Sequence, residues 1–112
     1  MRYTLFIHHD ETITDAPPSM YAEYAAFNEA LAKAGGRPGA RLQGSEAATT
    51  VRVRDGKNMV VDGPYADTKE QLAGFFTIDV PTLDEAIAWA ARCPSAQFGS
   101  IEIRPMWADK DA

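Results

Sequence analysis

The chain begins with an alternation that admits few folds. Tyr3, Leu5 and Ile7 fall on one face of a strand spanning Arg2 to His9, and Thr4, Phe6 and His8 fall on the other. A strand that is apolar on both faces reads as central rather than edge. Asp15-Ala16-Pro17-Pro18-Ser19 breaks it, and the two prolines suit a helix entry, where a missing N–H costs nothing. The spacing of Met20, Tyr24, Phe27, Leu31 and Ala34 predicts a helix over Pro18 to Ala34 with one apolar stripe. Gly35-Gly36 stops it, and Arg37-Pro38-Gly39 reads as loop.

Alternation returns from Ala48 to Arg54, with Val51 and Val53 on one side and Thr50, Arg52 and Arg54 on the other. Asp55-Gly56 is a hairpin signal, and Asn58 to Asp62 is the returning strand. Asp67 to Leu72 has the length of one helical turn before Gly74. Phe75 to Val80 reads as a strand. Thr82-Leu83-Asp84-Glu85 is a capping box opening a second helix to Arg92, whose buried stripe would be Leu83, Ala86, Ile87 and Ala90. Pro94 ends that helix, and Phe98 to Arg104 is the last strand, with Ile101 and Ile103 inward. One domain over 1–107 and a polar tail over 108–112, expected to fray, complete the chain.

The order strand, helix, hairpin, strand, helix, strand predicts a ferredoxin-like α+β sandwich with an inserted β-hairpin. Both helices would cover one sheet face. The other would carry Phe6, His8, Phe75 and Thr77, and a face with two phenylalanines is costly to leave wet. A second copy packed against it is the simplest relief, so a homodimer is expected.

Composition excludes several classes of function. Eleven basic residues against 16 acidic ones give a net charge of −5, which leaves no cationic surplus for direct nucleic-acid binding. Cys93 is the one cysteine, so no internal disulfide forms and a reducing compartment fits. No apolar run reaches the roughly 20 residues of a membrane helix. Polar His8, His9, Asp10 and Glu11 interrupt any N-terminal signal core, so the reading is a cytoplasmic domain.

The segment Val61 to Phe76, VDGPYADTKEQLAGFF, resembles the signature of the DGPF (DGPFAETKE) branch of the YCII-related proteins. Tyr65 stands where that signature has Phe, Asp67 where it has Glu, and Ala73 precedes a single Gly74. TTVRVRDG upstream, and IDVPTLDEAIAWAARCP and IEIRP downstream, are similar to the family's other blocks, so the likeness runs from Arg2 to Met106. It implies a ferredoxin-like fold paired into a dimeric α+β barrel. It implies no settled activity. Relatives in the wider superfamily include lyase-type enzymes acting on small aromatic compounds, with a histidine–aspartate pair suspected as their core. That pair does not carry over: Tyr24 and Phe27 occupy the first-helix stripe, and Cys93-Pro94 stands where an Asp-Pro would precede the last strand. The resemblance also implies a regulatory association with extracytoplasmic-function sigma factors, whose genes often neighbour those of DGPF proteins.

Three groups could carry chemistry. Asp62, beside the Gly63-Pro64 turn, either caps that turn or faces a cleft as a general base. On the turn predicted at Thr68-Lys69-Glu70, Glu70 either pairs with Arg52, Arg54 or Lys57, or Lys69 or Glu70 turns inward to meet Asp62 across a pocket. His8 ends a central strand, where Thr77 or Asp79 would come near, and an Asp79 contact would orient the imidazole. His8 and His9 face opposite ways in a strand and so cannot share a metal ion; no metal or cofactor is expected. Tyr65 adds a phenol donor to the signature, while Cys93 reads as a small buried side chain.

The leading expectation is a homodimer binding a small organic molecule, with Asp62, His8 and Glu70 as acid/base candidates and Tyr65, Thr68 and Lys69 as ligand contacts. Lyase- or isomerase-type chemistry would need no cofactor. The alternatives are a regulatory module acting with a sigma factor, and a structural dimer without a ligand.

Overall fold

The computed structural model describes residues 1–14 and 16–108, so the fraying expected of the tail at 109–112 lies outside the described residues. The elements are β1 (Arg2–Asp10), α1 (Ser19–Lys33), β2 (Arg37–Arg41), β3 (Thr49–Arg54), β4 (Lys57–Asp62), β5 (Glu70–Asp79), α2 (Leu83–Arg92) and β6 (Ser100–Pro105). Short 3-10 turns occupy Ser45–Ala47 and Pro94–Gln97. Four strands form one antiparallel sheet in the order β2-β5-β1-β6, and β3 and β4 pair separately. With the β3–β4 hairpin set aside, this is the ferredoxin-like order, and β1 is central as its two-sided apolarity requires.

Register decides which side chains meet. Tyr3 lies opposite Ile78, and Leu5 lies between Phe76 and Ile103, on the face that the helices cover. Leu5 and Leu31 are fully buried. Phe27 on α1 meets the rings of Phe76, Trp89 and Tyr24 edge-on, at centroid distances of 5.4, 6.0 and 6.5 Å. On the other face Phe6 lies opposite Phe75 and Thr4 opposite Thr77, as the alternation predicts.

Three local expectations need correction. Arg37–Arg41 is an edge strand on β5, not a loop. Pro38 is tolerated there because an edge needs fewer N–H donors. Gly39 sits in a bulge where an added Cβ would lie 2.3 Å from the Phe75 carbonyl oxygen. Next, Glu70 to Leu72 extend β5 instead of forming a helical turn. Pairing with the end of β1 outweighs a single unsupported turn, since short isolated helices are marginal. Finally, α2 buries Ala86 and Ala90 and half-buries Trp89, while Leu83 and Ile87 stay about half exposed. Thr82 Oγ1 accepts the Glu85 N–H at 3.2 Å, as the capping box requires.

Buried polar groups tie α1 to the connection after α2. The Tyr24 hydroxyl bonds Ser95 Oγ and lies 3.6 Å from Cys93 Sγ. Burial pushes the Cys93 thiol up and the Tyr24 phenol up to about 12. The folded chain therefore holds the Tyr24 proton more tightly than the unfolded chain does. That stabilisation is complete below about pH 10 and is lost as pH rises from about 10 to 12. Urea unfolding should lose about 1 kcal/mol over that window, less than the shift alone implies because the ring is partly solvated. Tyr24→Phe should flatten that part of the profile; an unchanged slope would remove the assignment.

Candidate functional site

The open sheet face and the base of the hairpin line an open cavity of about 630 Å³. Its floor comes from His8 on β1 and from Glu70 and Leu72 on β5. Leu42 to Ala48 supply one wall, and the Pro64–Tyr65–Ala66 turn with Thr68 supplies the other. A bulge makes this floor. Between Ile7 and His8 the β1–β5 register shifts, so that Leu72 rather than Ala73 stands opposite His8. Bulges re-aim side chains in this way. The Ala73 carbonyl accepts the Leu42 N–H at 2.8 Å, which anchors the first wall.

Hydrogen bonds fix the polar groups. His8 Nε2 lies 3.2 Å from Glu102 Oε1, and Arg104 Nε donates to Glu102 Oε2 at 2.8 Å. Arg104 first, and His8 second, hold the Glu102 carboxyl below its usual range. Beside an ionised carboxylate Nε2 carries the proton, which leaves Nδ1 of a neutral His8 as an acceptor. On the neighbouring strands, Ser100 Oγ donates to Glu70 Oε1 at 2.6 Å. The cavity thus holds an imidazole with a defined tautomer and a carboxylate with one oxygen engaged.

The signature segment shapes the wall through its backbone. Gly63 has φ +123°, a conformation that side chains disfavour, and its N–H donates to the Ala48 carbonyl at 2.8 Å. Thr50 Oγ1 donates to the Gly63 carbonyl at 2.8 Å. Gln71 Nε2 reaches the carbonyls of Ala66 and Thr68, and Thr68 Oγ1 donates to the Glu70 carbonyl. The loop is therefore stapled at both ends. Tyr65 projects outward, 80% exposed, with the Arg52 guanidinium 5.8 Å from its ring centre.

A second cleft, about 420 Å³, adjoins the first and shares Ser45, Pro64, Thr68 and Gln71 with it. Asp10 is 8% exposed there; its Oδ1 accepts the Thr12 N–H and hydroxyl, and Lys69 Nζ lies 3.9 Å from Oδ2. The two Thr12 bonds, ahead of the Lys69 charge, hold the Asp10 carboxyl low.

The structure thus gathers His8, Glu70, Tyr65 and Thr68 at one cavity and sets Lys69 in the adjoining cleft. Asp62 lies on exposed β4 and lines neither cavity, and its side chain bonds no described residue, so it neither caps its turn nor meets Glu70. The His8 partner is Glu102, not Asp79, which lies opposite Arg2 and accepts from the Met1 amino group at 3.2 Å. Glu70 bonds Ser100 rather than Arg52, Arg54 or Lys57. Sequence reasoning missed Glu102 and Asp10. Glu102 lies 94 residues from His8, and only the β1–β6 register makes them diagonal neighbours. Among the described residues no group of three His, Cys, Asp or Glu side chains could hold a metal ion, and no helix is long and apolar enough to cross a membrane.

A family model for the YCII-related domain matches residues 1–109. The chain belongs to the YCII-related family. This YCII-related chain is also similar to the "Uncharacterized protein R00369" of Rhizobium meliloti (strain 1021). The two are 38% identical over 114 residues, covering 95% of this chain and 92% of the relative. The likeness therefore spans both the sheet that supplies His8 and the signature loop that walls the cavity.

Proposed function

We propose that this YCII-related protein binds a small organic molecule in the 630 Å³ cavity and moves a proton on it, acting as a homodimer without a cofactor. One observation carries this reading: His8 and Glu70 share a cavity whose volume suits a small molecule and whose walls include Leu42, Leu72 and Tyr65. His8 Nδ1 would take a proton as general base, with Glu102 balancing the imidazolium that forms. The imidazolium would deliver that proton to another atom of the ligand, with Glu70 Oε2 accepting a hydrogen bond that holds the ligand in place. Abstraction on one atom and delivery at another is lyase- or isomerase-type chemistry. The dimer is supported by Phe6 and Phe75, which meet on the sheet face that the helices leave uncovered.

Thermal-shift titration with phenol, catechol, benzoate and benzylamine tests the site. A probe at ten times its dissociation constant should stabilise the wild type by about 1.4 kcal/mol. That corresponds to a rise of about 6 °C in a domain of this size. His8→Ala and Glu70→Ala should abolish the rise, and Asp62→Ala should preserve it. Shifts unaffected by the first two changes would sink the placement.

A further inference from the structure

We propose that the β3–β4 hairpin is an arm received by a second copy of this chain. Val51 lies opposite Val60 on one hairpin face, with Val53 beside them, and Met59 and Val61 lie on the other. All five are 50–62% exposed. The extensive contacts of β3 and β4 are with each other, and among the described residues no other element makes extensive contact with them. An isolated two-stranded hairpin is marginal in water, and apolar side chains on both of its faces call for a cover.

Surface area supports a cover of matching size. The chain exposes 8126 Å² at 12.2 kDa. A folded monomer of that mass exposes about 6,100 Å². The excess, about 2,000 Å², exceeds the roughly 800 Å² that each partner buries in a standard interface. The radius of gyration, 16.1 Å, likewise exceeds the expected value of about 13 Å.

Charge points to a second copy as the occupant. Arg52, Arg54 and Lys57 outnumber Asp55 and Asp62, so the hairpin carries +1 while the rest of the chain carries −6. A cationic arm reaching across to an acidic body offsets the repulsion between two chains of net −5. Each copy also owns both halves of the contact, an arm and an open sheet face with Phe6 and Phe75, so reciprocal exchange closes a two-fold dimer. His8 and Leu72 lie on that same face, so the copy that covers it also roofs the cavity.

This inference rests on the homodimer proposed above, and size-exclusion chromatography with light scattering separates the two. Wild type should elute with twice the mass of one 12.2 kDa chain. Val51→Asp/Val60→Asp should raise the dimer dissociation constant at least a hundredfold while the far-UV circular dichroism of the four-stranded body persists. A second variant excises Thr49–Asp62, whose ends meet where Gly63 N–H bonds the Ala48 carbonyl, and joins them by Asn-Gly; it should be monomeric too. A wild type that is monomeric at 100 µM overturns both the dimer and the arm. A dimer that Phe75→Asp disrupts but neither hairpin variant does overturns the arm alone.

Discussion

Phe27→Ala is expected to destabilise the folded chain by about 3–5 kcal/mol. The ring is 5% exposed and joins both helices to the sheet: it meets Tyr24 on its own helix, Trp89 on α2 and Phe76 on β5. Its loss removes apolar burial and leaves a cavity bounded by three large side chains. Three edge-on ring contacts, each contributing about 0.5–1.5 kcal/mol beyond area, go with it. Domains of this size are stable by only about 5–15 kcal/mol, so much of the margin disappears. Urea unfolding at neutral pH measures the loss directly. A loss below about 1 kcal/mol would mean that the two helices pack onto the sheet without this ring.

Gly99→Ala is expected to act on fold and cavity together. An added Cβ would lie 2.1 Å from the His8 carbonyl oxygen and 3.1 Å from the His9 Cα. Those atoms belong to β1, which is paired on both sides by β5 and β6 and has little freedom to retreat. Overpacking of this kind costs about 1–3 kcal/mol, and a clash with backbone stands at the upper end. Relief requires β1 to shift at His8, which would lengthen the 3.2 Å contact with Glu102. Two measurements are expected to move together: stability in urea, and the ¹⁵N signature of the Nε2–H tautomer of His8. Loss of stability with an unchanged tautomer would show that the strain is absorbed in the 3-10 turn before β6.

The alternation in β1 carried most of the fold. Tyr3, Leu5 and Ile7 against Thr4, Phe6 and His8 gave both the central position and the open face, because period-two patterning is a local property of a strand. Arg37–Arg41 escaped because Pro38 and Gly39 are turn residues by propensity, and only the neighbouring backbone of β5 makes them a strand. Residues of the signature line one wall of the cavity. Gly63, Thr68 and Gln71 turn out to hold the loop, whereas Asp62, the most conspicuous acid in the motif, is exposed and lines neither cavity. Glu102 could not be found from sequence, since its meeting with His8 depends on a register between strands at opposite ends of the chain.

The extra residue in β5 gives that strand two phases. From Gly74 onward, even-numbered side chains face the helices and odd-numbered ones face outward. Before the bulge at Ala73 the parity inverts, so Glu70 and Leu72 face the same way as Phe75 and Thr77. An unbroken strand would aim Glu70 into the apolar layer beneath the helices, where an unpaired carboxylate is costly. One inserted residue therefore lets a single strand build core at one end and the floor of an open cavity at the other. It also keeps both ends of its outward row on the surface a second chain would see.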